Sequence, residues 1–469
     1  MKHIFYQPQE GWAGDFIPFY WDGEFHLFYL RDIRSPRGHL DGVPWYRVST
    51  RDFVDFTDHG LVLAPGGYDD QDLCCYTGCV FYGEGKFHMY YEGMNPRMRS
   101  HGRPEQGFIH AVSDDLQHWE KLPGCFFSPE GYEDHDWRDP FVFYEESDGL
   151  YHMALAARRS EGPKTRRGVT AHLISSDLYN WEVIEPFWEP NSYYTHECPD
   201  MFKIGPWYYM IFSEFTDTCR TRYVMSRSIN GPWISPADDV FDTRAYYAAK
   251  SWSDGKKRYL FGWNPTRADN NDAKDFQWGG NLVVHELYQK EDGALATREP
   301  PSIAAAWGNG RPLAFSGSDH KTIDCIDGMK TEFADEKLPL TFRFEADVAF
   351  TAGTRAFGLM LRADKTEDTS YGFIFTPSQN RLHFDALPEP HWNNMRTRGL
   401  DRIMPMKAGH KMRLSIVADD TMATMYVDDQ VAFTTRMYNY HGDGLALYVQ
   451  HGSVTFENIR VWTDNPRDS

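Results

Sequence analysis

Apolar positions in this chain fall in short runs bounded by Gly, Pro, Asn and Asp, and none keeps the spacing of an amphipathic helix. Through the first three hundred residues one phrase recurs. Asp22-Gly-Glu-Phe-His-Leu-Phe-Tyr29 returns as Glu84-Gly-Lys-Phe-His-Met-Tyr-Tyr91, then as Asp148-Gly-Leu-Tyr-His-Met-Ala-Leu155. It returns again as Gly205-Pro-Trp-Tyr-Tyr-Met-Ile-Phe212 and Asp254-Gly-Lys-Lys-Arg-Tyr-Leu-Phe261. Each copy reads as a tight turn followed by an aromatic-rich strand. A second phrase follows in most units: Val48-Ser-Thr-Arg-Asp-Phe53, Val112-Ser-Asp-Asp-Leu116 with Trp119, Ile174-Ser-Ser-Asp-Leu178 with Trp181, and Met225-Ser-Arg-Ser-Ile229 with Trp233. It reads as a strand, a polar turn and an aromatic plug.

The repeat starts lie 62, 64, 57 and 49 residues apart. A lone sheet of such units cannot bury both faces, so five of them predict a radial array, a five-bladed β-propeller over residues 1–298. A stacked solenoid has shorter repeats. Past residue 310 the phrase stops and alternation takes over, as in Leu340-Thr-Phe-Arg-Phe-Glu-Ala-Asp-Val-Ala-Phe350 and Ser453-Val-Thr-Phe-Glu-Asn-Ile-Arg-Val-Trp462. Ala423–Phe433 reads as a hairpin turning at Asp428-Asp429. Residues 311–469 are therefore expected to form an antiparallel β-sandwich, joined by a linker at 299–310 that holds Pro300-Pro301. The predicted class is all-β.

Charge narrows the partners. Lys and Arg number 48 against 68 Asp and Glu, a formal net charge of −20. Such a surface repels polyphosphates, which argues against nucleic acid and anionic membranes. Aromatics at 16% separate this chain from disordered acidic tails. No apolar run is long enough to span a bilayer, and no signal core follows Met1-Lys2-His3, so the expectation is a soluble, cytoplasmic protein. The seven cysteines are odd in number and irregular in spacing, which fits free thiols in a reducing compartment. Cys75-x-x-x-Cys79 lacks a partner pair at finger spacing, so no metal and no cofactor are expected.

Inner strands of a propeller converge on its axis, so equivalent positions in different blades meet. Counting back from each turn gives Asp15, Thr77, Asp139, Glu197 and Tyr247, seven to nine residues upstream. Three of the five are carboxylates. Three acids on one axis suit glycosidic cleavage, which needs one carboxylate to meet positive charge and one carboxylic acid to protonate the leaving oxygen. The competing reading is that each caps a strand, which is the commoner role for any single Asp. Arg158-Arg159 with Lys164, Arg166 and Arg167 reads as a solvated loop.

Several stretches together resemble glycoside hydrolase family 32, the invertase, inulinase and levanase family, over essentially the whole chain. Trp12-Ala-Gly-Asp15 keeps the Trp and Asp of the family's opening Trp-Met-Asn-Asp-Pro-Asn-Gly. Arg138-Asp139-Pro140 and Glu197-Cys198-Pro199-Asp200 are intact, and Tyr246-Tyr247-Ala248-Ala249 with Gly262-Trp263 resembles the fifth blade. Leu414–Tyr438 resembles the C-terminal sandwich. The resemblance implies Asp15 as nucleophile at C2 of a fructofuranosyl unit and Glu197 as general acid and base. It implies Asp139 as the group that holds sugar hydroxyls, with Arg138 orienting it. Trp12, Trp45, Thr77, Tyr247 and Trp263 would line the substrate's path, although Trp45 reads equally well as a blade plug. Retention would require Asp15 and Glu197 to stand about 5–5.5 Å apart, and an acid role would require the Glu197 pKa to be raised by burial and by Asp15. His196 reads as structural.

The departures fall around the sugar ring. Gly14 replaces the family's Asn, Phe16-Ile17-Pro18 replaces Pro-Asn-Gly, Phe28-Tyr29-Leu30 replaces Phe-Tyr-Gln, and Tyr76-Thr77-Gly78-Cys79 stands for Phe-Ser-Gly-Ser. Loss of an Asn and a Gln removes polar recognition. The sequence thus predicts a retaining hydrolase of β-fructofuranosides in small oligosaccharides, acting as monomer or homodimer, with altered recognition of the ring. The alternatives are a fructosyltransferase, an enzyme for fructose dianhydrides or arabinofuranosides, and a carbohydrate-binding propeller without catalysis.

Overall fold

The structure, a computed structural model, describes residues 3–388 and 399–466. Its first half is built from five antiparallel blades, of which the first and fifth share one hydrogen-bonded sheet. Blade I holds Trp12–Trp21, Glu24–Asp32, Trp45–Thr50 and Thr57–Leu63. Blade II holds Cys74–Gly83, Lys86–Met94, Gln106–Ser113 and Glu120–Lys121. Blade III holds Arg138–Glu145, Leu150–Arg158, Gly168–Ser175 and Glu182–Trp188. Blade IV has three strands, Glu197–Ile204, Trp207–Glu214 and Arg220–Ser226. Blade V holds Tyr247–Ser253, Arg258–Arg267, Phe276–Gln289 and Leu295–Arg298. The first strand of each blade packs against the first strand of the next, and the fifth packs back on the first. That closed ring is the five-bladed propeller that the repeat predicts.

The recurring phrase has a backbone reason. In the first two copies Asp22 and Gly23, then Glu84 and Gly85, all take positive φ between 48° and 83°. This is the two-residue turn whose twist matches its flanking strands. The second phrase ends on Phe53, Leu116 or Leu178, each at a φ of 64–66°. In two blades a Ser hydroxyl accepts the amide at that residue, Ser113 for Leu116 and Ser175 for Leu178. Trp119, Trp181 and Trp233 pack against the buried clusters between blades, as expected of plugs.

Each inner strand breaks register near its channel end, where two of its residues face one residue of the second strand. The doubled pairs are Asp15-Phe16, Tyr76-Thr77, Asp139-Pro140, Cys198-Pro199 and Ala248-Ala249. Asp15, Asp139, Cys198 and Ala248 stand at φ of 48–57°. A non-glycine residue there costs of order 1–3 kcal/mol, a strain the surrounding blades must hold. Bulges of this kind re-aim side chains, and here they turn two carboxylates toward the axis.

After Arg298 a short helix, Pro301–Ala306, leads into the second half. Residues 299–310 are not a bare linker: Ile303 and Trp307 are buried in the propeller's own cluster. The second half is antiparallel throughout. Its strands share one hydrogen-bonded set in which Gly444–Trp462, nineteen residues long, pairs with Lys321–Phe333, Phe342–Phe350 and Ala356–Asp364. Alternation is visible in Phe342–Phe350, where Phe342, Phe344, Ala346, Val348 and Phe350 are buried. The hairpin at Asp428-Asp429 is present, with both residues at positive φ.

The two halves meet through buried polar groups. Asp242 accepts from the Thr434 amide and hydroxyl and pairs with His285, which also meets Tyr426. Arg402 donates to the carbonyls of Phe241, Val240 and Ala432. The amides of Ile4 and Phe5 donate to Asp419. No helix among the described residues is long and apolar enough to cross a membrane.

Candidate active site

Four blades deliver carboxyl groups to one cavity of about 220 Å³ at the channel mouth, three of them the acids the repeat picks out. Asp15 comes from blade I, Asp139 from blade III and Glu197 from blade IV, and Arg138 and Tyr247 also line it. The bulges show that the acids are not strictly equivalent. Asp15 and Asp139 sit on the doubled pair itself. Glu197 is the last residue paired before it, in register with Arg138 of blade III and Tyr247 of blade V.

This register explains their contacts. Arg138, Glu197 and Tyr247 stand side by side on three successive blades. The Arg138 guanidinium donates to Glu197 Oε1 at 2.9 Å, and the Tyr247 hydroxyl donates to Oε2 at 2.6 Å. Arg138 is also paired with buried Asp136 and lies 3.8 Å from Asp139. Asp139 Oδ2 accepts the Cys198 amide at 2.9 Å, which fixes that carboxylate against the neighbouring blade. One cation is thus ringed by carboxylates and fully engaged.

Asp15 is held by two donors. The Thr77 hydroxyl reaches Oδ2 at 2.5 Å, and Trp263 Nε1 reaches Oδ1 at 3.1 Å. Burial pushes its carboxyl up to about 7, with Asp139 and Glu197 adding to the rise and the two donors opposing it. Each oxygen keeps a lone pair for chemistry.

The remaining predicted residues divide. Thr77 lines the cavity, while Trp263 acts from behind it through its bond to Asp15. Trp45 does not face the cavity. It is fully buried, its Nε1 donating to the carbonyls of Cys75 and Tyr76, so it props up the bulge of blade II rather than stacking on sugar. Trp12 lies outside the lining under the Arg34 guanidinium, 4.8 Å from the ring centroid. His196 is buried against Trp188 and bonded to Thr170, with burial pushing its pKa down to about 3. Of the charged cluster, Lys164 and Arg166 are exposed, as a solvated loop requires, but Arg158 is not part of that loop: it is buried, pairs with Glu133 and lies 3.6 Å from Asp136, bracing the segment that carries Arg138. Among the described residues no group of three His, Cys, Asp or Glu side chains could hold a metal.

Three lining residues escape the repeat-based reading: Glu92, Gln106 and Trp278. Gln106 accepts the Asp136 amide. Trp278 explains the missing side chain at Gly14, where a Cβ would stand 2.5 Å from the indole. The ring fills the space that a larger residue would need. Gly14→Asn should therefore cost about 1–3 kcal/mol by overpacking. A Trp278→Ala change should relieve much of it, read as a coupling in thermal or denaturant unfolding. Strictly additive costs would refute that account.

A propeller whose channel mouth gathers acids from four blades, backed by a β-sandwich, is an arrangement suited to glycoside hydrolysis. The chain belongs to glycoside hydrolase family 32. Residues 5–298 match the Glycosyl hydrolases family 32 N-terminal domain, and residues 320–463 match the Glycosyl hydrolases family 32 C terminal. It is 29% identical over 308 residues to a sucrose-6-phosphate hydrolase of Vibrio alginolyticus, a match spanning 61% of this chain and 60% of that protein. Against a levanbiose-producing levanase of Bacillus subtilis (strain 168) the identity is 24% over 486 residues, 95% of this chain and 87% of the relative. The structure of sucrose-6-phosphate hydrolase from Lactobacillus gasseri superposes with a TM-score of 0.78 at 19% identity, covering 99% of this chain and 93% of that one. Fructan 1-exohydrolase IIa from Cichorium intybus gives 0.76 at 16%, covering 98% and 96%. At these identities the solved structures speak for the fold.

Proposed function

We propose that this chain is a retaining β-fructofuranosidase acting on small fructose-containing oligosaccharides, with catalysis on residues 1–298 and residues 311–469 as their support. The observation that carries the reading is the convergence of Asp15, Asp139 and Glu197 on one cavity, with Asp15 clamped by Thr77 and Trp263. An Asp15 oxygen attacks the anomeric carbon as the glycosidic C–O bond breaks, and Glu197 gives its proton to the leaving oxygen. The covalent ester is then opened by water, whose proton Glu197 takes. Tyr247 suits this alternation, because a hydroxyl can donate to the Glu197 carboxylate and accept from its acid form. The free Asp139 oxygen, steadied by the Cys198 amide, receives ring hydroxyls and meets the positive charge of the transition state.

Relatives named for sucrose 6-phosphate and levan support a fructoside. The Gly14–Trp278 contact supports a ring wall without the Asn of the family motif, so fructose dianhydrides and arabinofuranosides belong in the same screen. Seven free cysteines favour a reducing, cytoplasmic setting, as monomer or homodimer. Incubation with sucrose, 1-kestose, levanbiose, cyclic fructose disaccharides and arabinofuranosides should release fructose, first formed with the configuration of the bond cleaved. Release of inverted sugar, or cleavage of arabinofuranosides alone, would overturn the reading. Added acceptor sugar distinguishes hydrolysis from transfer.

A further inference from the structure

Opposite each bulge stands one residue of the second strand: Tyr29, Glu92, Leu155, Phe212 and Gly262 in blades I to V. Four blades fill this place with an apolar body, an aromatic ring or nothing. Blade II puts a carboxyl there. Glu92 is 1% exposed, it lines the cavity with Asp15, Asp139 and Glu197, and its Oε1 has no hydrogen-bond partner. A buried acid without a partner costs free energy unless something arrives to satisfy it.

We propose that Glu92 contacts the substrate, its unpartnered oxygen meeting a hydroxyl of the sugar ring seated against Asp15. The inference rests on the fructofuranosidase reading for the identity of that sugar. The groups facing Glu92 decide its state. Arg138 favours the anion but is already shared among Asp136, Asp139 and Glu197. Burial, Asp139, Glu197 and Asp15 push the Glu92 carboxyl well above the ordinary range. Cys74 and Tyr76 on its own blade and Cys125 beside it, themselves pushed up, are neutral. These surroundings favour the protonated form of Glu92, which can donate as well as accept. A site so lined, with its one cation engaged, suits a neutral polyhydroxyl ring and disfavours a phosphate on that ring.

The test uses Glu92→Gln and Glu92→Leu on whichever fructoside the wild type turns over best. Gln keeps a donor and an acceptor, so E92Q should hold kcat/KM within about threefold. E92L should lose roughly 10–100-fold, the scale of one buried hydrogen bond. The ratio of E92Q to wild-type kcat/KM should rise with pH, because only the wild type loses its donor. A purely structural role would not move that ratio, and it carries the test if E92L fails to fold. E92L matching wild type, or E92Q as damaged as E92L at every pH, would overturn the proposal. If the wild type cleaves no fructoside, the reading of substrate fails by itself. The variants are then compared by the thermal shift that fructose, arabinose and other monosaccharides induce. Loss of the wild-type shift in E92L supports the contact; an equal shift in both, or none with any sugar, refutes it.

Discussion

Asp15→Asn should abolish turnover, lowering kcat at least about 10⁴-fold, while the protein should melt close to wild type. The amide is nearly isosteric with the carboxyl. Its oxygen can keep the Trp263 N–H, and the Thr77 hydroxyl can turn to accept from its NH₂. What is lost is the nucleophile of the proposed mechanism. The same carboxyl sets a pH dependence. Asp15 must be ionised to attack, and its pKa is pushed up to about 7, so it gains its charge as pH rises through that value. The kcat/KM of the free enzyme should therefore fall about tenfold per pH unit below it. Turnover by D15N within tenfold of wild type would show that another group attacks.

Glu197→Gln separates the two halves of the cycle. Gln can still accept from Arg138 and meet Tyr247, so the site stays assembled. With sucrose or kestose the leaving oxygen needs a proton, and kcat/KM should fall about 10²–10⁴-fold. With an aryl fructoside, whose phenolate leaves unaided, the first step should be far less affected. The ester should then accumulate for want of a base, and azide, which needs none, should release it. An equal loss for both leaving groups, with no rescue by azide, would remove Glu197 from the acid–base role.

Much of this is legible in the sequence. Asp22-Gly23 and its echoes announce hairpins because few residues tolerate two successive positive φ values. Arg138-Asp139-Pro140 and Glu197-Cys198-Pro199-Asp200 are legible because each spans a bulge, and the bulge needs that local chemistry. Counting back from turns places the acids in one region but misses their register, since the bulge of blade II sits one residue differently from that of blade I. That offset also hides Glu92 among aromatic neighbours. Trp278 stays hidden because it lies on the third strand of blade V, far in sequence from the Gly14 whose side chain it displaces. Trp45 carries a motif's signature, yet its burial is decided by the carbonyls of another blade.

The ring is closed where Ala13 pairs with Gly280, joining blade I to blade V in one sheet. Trp263 and Asp15, which touch beside that seam, are 248 residues apart. On a ribosome adding 5–20 residues per second, Asp15 emerges roughly 12–50 s before the indole that will hold it. For that interval the first blade has an open flank and an unsheltered carboxyl. Activity therefore cannot precede the completion of the fifth blade during synthesis. Any truncation before the fifth blade should yield not a weaker enzyme but an unclosed sheet with its edge strand bare.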